Sequence, residues 1–110
     1  MAGRGIPRWL LDRMGHDVQI EPYMGSGAYG PVYAAPVTVR ALVDGRRRLV
    51  RSAEGSEVVS ETTLRVRLGV TCPPLSRVTL PDGTQAQAIT TTTHDGGKLP
   101  VPSHLEIALT

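Results

Sequence analysis

Apolar residues in this chain recur at every second position, in runs too short for anything but strands. Val18 and Ile20 alternate with Asp17, Gln19 and Glu21. Val37, Val39, Ala41 and Val43 make a second row. Glu57 to Leu68 reads as the longest strand, with Val58, Leu64, Val66 and Leu68 sharing a face with Ser60 and Thr62. Val78 and Leu80 begin a fifth run, Gln85 to Thr93 is a sixth, and Leu105, Ile107 and Leu109 close the chain. Turn residues separate the runs: Asp44-Gly45 and Asp82-Gly83 as hairpin signals, Glu54-Gly55 and Asp95-Gly96-Gly97 as further turns. Glycine supplies positive φ at such points, and Pro81 presets the first dihedral of its turn. Short alternating strands at this spacing predict an all-β fold, a small antiparallel β barrel or sandwich.

Only residues 7–14 depart from that period. Pro7 suits a first helical position and Gly15 a stop, so a short N-terminal helical turn is expected. Trp9, Leu10 and Met14 form its apolar side. A helix this short is not stable alone. The segment 1–15 is therefore expected to dock on the barrel's end or on a partner, with Trp9, Leu10 and Met14 as the contact residues. Two stretches exceed a simple turn. Residues 24–36 are rich in Gly and Pro, and residues 44–56 carry arginines. Both read as long loops, the second alternatively as a β-hairpin arm around Leu49 and Val50. No linker or repeat divides the chain, so 1–110 is expected to be a single β-barrel domain.

With 110 residues, no Phe, one Trp and three Tyr, the core must be built from aliphatic side chains. Such a small core leans readily on neighbouring subunits. Cys72 is the only cysteine, which excludes an intrachain disulfide. No run approaches the roughly 18 apolar residues of a membrane span. A soluble protein folded inside a cell is the expectation. Twelve basic residues oppose ten acidic ones, and a net charge of +2 does not by itself argue a nucleic-acid partner. The distribution is more informative, because eleven of the twelve are Arg and four of those lie between Arg46 and Arg51. Arg keeps its charge when partly buried and binds carboxylates and phosphates in a bidentate way. Arg46, Arg47, Arg48 and Arg51, with Leu49 and Val50 between them, are the candidate arm, facing either DNA or a neighbouring subunit.

Motifs for catalysis are missing or out of context. Gly25-Ser26-Gly27-Ala28-Tyr29-Gly30-Pro31-Val32 fits the glycine-rich loop of kinases. The lysine, H-R-D and D-F-G elements that give that loop its chemistry are absent, and a dinucleotide-binding loop would have to open a helix. His16, His94, His104 and Cys72 lack metal-ligand spacing. There is no G-x-S-x-G elbow. No catalytic residue, metal ligand or cofactor is assigned, and an enzyme is not expected.

Three segments together resemble a known family: Arg47-Arg48-Leu49-Val50-Arg51 followed by Gly55 and Glu57-Val58-Val59-Ser60; Val78-Thr79-Leu80-Pro81-Asp82-Gly83; and Leu99-Pro100-Val101-Pro102-Ser103-His104-Leu105-Glu106-Ile107. In order, length and composition the chain after Gly15 resembles the small neck proteins of tailed bacteriophages of actinobacteria, the head-to-tail stopper or head-closure class. The resemblance implies a small barrel assembled into a ring, commonly of twelve subunits. That ring lies in the virion neck between the portal or adaptor proteins and the tail-completion or tail-tube proteins. It helps retain packaged double-stranded DNA and offers the surface on which the tail docks; assembly takes place in the host cytoplasm. The alternatives are another virion part on the same scaffold, such as a tail terminator or minor capsid protein, and a nucleic-acid-binding module of the OB type.

Overall fold

The two-residue period fills the inside of a closed barrel. The computed structural model describes residues 6–94 and 104–110. The elements are a helix, α1 (Arg8–Met14), and ten strands: β1 (His16–Glu21), β2 (Tyr23–Gly27), β3 (Gly30–Tyr33), β4 (Val37–Asp44), β5 (Arg48–Arg51), β6 (Glu57–Ser60), β7 (Thr62–Val66), β8 (Arg77–Thr79), β9 (Gln85–His94) and β10 (His104–Leu109). Six of them close in the order β1-β4-β7-β10-β9-β8, every pair antiparallel. Two hairpins, β2–β3 and β5–β6, stand outside the barrel as separate two-stranded sheets. The fold class is the expected one, a small all-β barrel with one short helix.

Val18, Ile20, Leu64, Val66, Val78, Ile107 and Leu109 fill the interior and are essentially inaccessible. A barrel bore of six strands is narrower than the eight-stranded kind that side chains just fill. Aliphatic side chains therefore complete this core, and the lack of Phe is no defect. Each such residue contributes roughly 1.5–3 kcal/mol on burial. Cys72 joins the same core, and burial pushes its thiol up to about 11.

The helix is tied to the barrel by Leu11 and by one arginine. Leu11 is buried, whereas Leu10 is only partly covered. Arg40 on β4 donates from Nε to the Leu11 carbonyl (3.0 Å), from Nη2 to the Asp12 carbonyl (3.0 Å), and pairs with Asp17 (3.1 Å). It thereby satisfies the Asp12 carbonyl at the helix end and adds a second donor to the Leu11 carbonyl, which also accepts the Gly15 N–H (2.9 Å). Gly15 is required for space, since a Cβ there would meet the Leu11 carbonyl oxygen at 2.4 Å.

Three expectations need correction. The stretch 24–36 is largely the β2–β3 hairpin and not an irregular loop. Its glycines hide the strand pattern, but Gly25 (φ 105°) takes up a register shift and Gly30 (φ 112°) follows the turn at Ala28-Tyr29. The long strand Glu57 to Leu68 is broken at Glu61. The buried Ser60 hydroxyl donates to the Leu109 carbonyl (2.9 Å) and lies 3.1 Å from the Thr62 carbonyl, fixing a bend where the chain leaves β6 for β7. Leu68 consequently lies beyond β7 and is exposed. Finally, Asp44-Gly45 does not join paired strands, since β4 pairs with β1 and β7. The Asp44 carboxylate instead accepts the Arg46 backbone N–H (3.1 Å). Asp82-Gly83 does turn between β8 and β9, closed by Leu80 and Thr84 (2.8 Å). The Asp95-Gly96-Gly97 turn, residues 1–5 and the segment Leu99 to Ser103 lie outside the described residues.

Candidate functional site

The arginine segment forms the hairpin arm that was the alternative to a loop. Arg48 pairs with Ser60, Leu49 with Val59, Val50 with Val58 and Arg51 with Glu57. Alternation puts Val50 and Val58 on one face, both half-buried, and Leu49 and Val59 on the other, both exposed. The exposed pair is an apolar spot flanked by Arg51 and Glu57.

The guanidinium groups have partners in their own chain. Arg48 donates from Nη2 to Glu106 on β10 (2.7 Å) and from Nε to the Thr63 hydroxyl on β7 (3.1 Å). Arg65 bridges Asp44 (3.6 Å) and Glu106 (3.5 Å). Arg46 grips both Asp44 oxygens, with its Nη2 at 2.9 Å. Arg47 pairs with Glu61 (3.1 Å), and Arg51 donates to the Gly55 carbonyl (2.6 Å). The hydrogen bonds from Arg46 hold the Asp44 carboxyl well below the usual carboxylate range and raise the Arg46 guanidinium in turn. Exposure separates two groups of arginines. Arg46 and Arg47 side chains are 85% and 73% exposed, Arg48 and Arg65 only 42% and 34%. Arg48 and Arg65 staple the arm to the barrel, while Arg46 and Arg47 keep donors turned to solvent. Arg48 was singled out from the sequence with the others, but the Arg65–Glu106 half of the staple was not. It joins strands far apart in the chain and has no local signal.

At the helix, Trp9 and Met14 are exposed and Leu10 is half-covered. The buried anchor, Leu11, was not among the residues marked from the sequence.

Two features carry no site residue in the sequence reading. The first is the β2–β3 arm. Its base is pinned: Tyr23 donates its backbone N–H to the Ser76 hydroxyl (2.9 Å), and Ala34 donates to the Pro22 carbonyl (2.8 Å). Arg77 holds Glu21 through two bonds (2.8 and 2.9 Å) and lies 4.5 Å over the Tyr33 ring. Tyr33 in turn meets Tyr23 edge-on at 6.1 Å. Beyond this base the arm carries Met24, Tyr29 and Val32 outward, and Tyr29 at the tip is fully exposed. No charged residue occurs between Glu21 and Arg40. That uncharged stretch was the available signal, and it was masked by the glycine-rich motif within it.

The second is a recess of about 380 Å³ beside the far end of the β5–β6 arm. Val58, Leu75, Ala88 and Ile89 make its apolar wall, and Glu54 and Gln87 stand among its polar groups. Leu75 occupies the third position of a tight turn, Pro73-Pro74-Leu75-Ser76, with φ of 75°. The Ser76 N–H donates to the Pro73 carbonyl (3.2 Å). A left-handed Leu is uncommon, and such strain concentrates where a side chain must be held in place.

Among the described residues, no three His, Cys, Asp or Glu side chains gather as metal ligands would. The chain matches no protein-family model and no curated protein sequence.

Proposed function

We infer that this chain is an assembly subunit, the head-to-tail stopper of a tailed bacteriophage. It forms a homo-oligomeric ring in the virion neck between the portal or adaptor and the tail. In that place it helps retain packaged DNA and gives the tail its docking surface. One observation supports an assembly role above others. Three elements outside the barrel wall, the docked helix α1 and the hairpins β2–β3 and β5–β6, each carry a large apolar residue into solvent: Trp9, Tyr29 and Leu49. Single exposed apolar residues are ordinary. Placing one on each of these outer elements suits a part whose outer elements are covered by neighbours. The position in a neck rests on the resemblance of the sequence.

The arginine arm fits that role in a specific way. Arg48 and Arg65 fix the arm's direction, leaving Arg46 and Arg47 to meet DNA or an acidic partner surface. Arg46 is paired with Asp44 and Arg47 with Glu61, so what a ring repeats is a row of exposed guanidinium donors and not an unbalanced charge. The test adds the purified protein to DNA-filled heads that lack tails. Retention of DNA and gain of tail joining are expected, with a protein in which Arg46 and Arg47 are Ser retaining less. Heads that neither hold DNA better nor accept tails contradict the reading. A labelled chain found elsewhere on the particle points instead to a tail-terminator or capsid role.

A further inference from the structure

We propose that the β2–β3 arm of one chain docks into the recess beside Leu75 of a second copy, with Tyr29 as the inserted side chain. The proposal deepens the ring reading, since it rests on copies of the chain meeting one another, and it names the contact.

Four observations lead to it. First, the arm lacks the charged residues that normally blunt an exposed two-stranded edge. Its bulge at Gly25 and its Pro31 disfavour strand addition. Contact through side chains remains, and Met24, Tyr29 and Val32 are the side chains displayed. Second, the recess suits a tyrosine. An apolar wall takes the ring, and Glu54 or Gln87 can accept a hydrogen bond from the phenolic O–H. Third, Leu75 borders the recess in a fixed position: its turn is closed by the Ser76 N–H on the Pro73 carbonyl (3.2 Å), its own N–H is held by the Ala88 carbonyl (2.8 Å), and its side chain remains 40% exposed. Fourth, the arm cannot fill its own chain's recess. Its base is fixed by Ser76, by the Glu21–Arg77 pair and by the Arg77–Tyr33 contact, and Tyr29 touches nothing of its own chain.

Area favours a repeated contact over a lone pair. Tyr29 offers about 200 Å², and Met24 with Val32 roughly as much again. One insertion thus covers about 400 Å² of a chain, half of the roughly 800 Å² per partner of a standard interface. Arm and recess are different patches, so each chain can donate one arm and receive another. That doubles the buried area per chain. Such a head-to-tail contact closes into a ring when its rotation permits.

The test uses two full-length single variants, Ala28→Cys, beside Tyr29 in the arm's turn and leaving Tyr29 in place, and Val59→Cys, both at exposed positions, Val59 lining the recess. The native Cys72 is buried and stays in place. The two are mixed, allowed to assemble and mildly oxidised. The expected product is a disulfide-linked pair of one variant with the other, seen by intact mass and absent when either is oxidised alone. Pairs of Ala28→Cys with itself would put arm against arm and overturn the proposal. Assemblies without the mixed product overturn it too, while leaving the ring standing. Failure of the wild-type chain to assemble at any concentration removes the ring and the contact together. Independently, Tyr29→Ser should weaken self-association at least ten-fold with an unchanged far-UV spectrum, and Tyr29→Phe should weaken it less. A Tyr29→Ser chain that assembles like wild type refutes the insertion.

Discussion

Replacing Leu75 by glycine and by alanine should reverse the ordinary order of these two residues. At an ordinary position Gly is less favourable than Ala by about 0.5–1 kcal/mol, because it has more backbone freedom to lose. At φ of 75° a residue with a Cβ also pays about 1–2 kcal/mol for the left-handed conformation, and Gly does not. The balance favours Leu75→Gly over Leu75→Ala by about 0.5–1 kcal/mol. Both variants lose the covered part of a side chain that is 40% exposed, worth about 1 kcal/mol. Leu75→Ala should therefore fall about 1 kcal/mol below the native chain, and Leu75→Gly should lie close to it. The backbone bonds from Leu75 to Ala88 (2.8 Å) and from Ser76 to Pro73 (3.2 Å) survive both changes. Urea unfolding followed by circular dichroism measures the difference. Separation by thermal melting would be a few degrees for a domain of this size. A glycine variant about 1 kcal/mol less stable than the alanine variant would show that the turn is not left-handed, and the argument for a held side chain at the recess would go with it.

Further expectations concern the core, the bend and the ion pairs. Ser60→Ala should cost about 1–2 kcal/mol in the same unfolding assay, since it removes the hydroxyl that bonds the Leu109 carbonyl (2.9 Å) at the β6–β7 bend. Cys72 should resist alkylation in the native state at neutral pH and react once urea unfolds the chain, because burial moves its thiol up to about 11. Acid should destabilise the fold below about pH 4. Asp44, Glu21 and Asp82 all have lowered folded pKa values, chiefly through hydrogen bonds from Arg46, Arg77 and the Thr84 backbone. The unfolded chain then takes up protons first as pH falls, so the stabilisation present above the unfolded value is lost downward; a midpoint constant from pH 6 to pH 3 contradicts this. Arg40→Ala should speed amide exchange in α1 while leaving β10 protected, because Arg40 ties the Leu11 and Asp12 carbonyls of the helix to β4.

The parts of the fold that could be read from the chain are those where one strand face is buried and the other wet. Val18 and Ile20 in β1, and Leu105, Ile107 and Leu109 in β10, recur at every second position because the barrel interior demands it, with Ala108 of β10 buried on the other face. The β2–β3 arm escaped because its pairing rests on Gly25, Gly30 and a tyrosine pair, none of which alternates in polarity. It is held by Arg77 and Ser76, more than fifty residues along the chain. The break at Glu61 was equally hidden, since the buried Ser60 hydroxyl that causes it reaches the Leu109 carbonyl on the last strand. The arginine arm was visible as a segment, with Leu49 and Val50 between charges. Its division into stapling and exposed arginines depends on Thr63 and Glu106 and could not be deduced locally. Leu75 gave no sign at all, because the third position of such a turn normally advertises itself with glycine.

Native mass spectrometry of the purified chain across rising concentration tests the assembly claim most directly. The expected result is a single closed oligomer whose mass is an integer multiple of 11.8 kDa, gaining in population as concentration rises and lost in the Tyr29→Ser variant. A species of one subunit mass at every concentration, or an open-ended ladder of sizes, would contradict a ring.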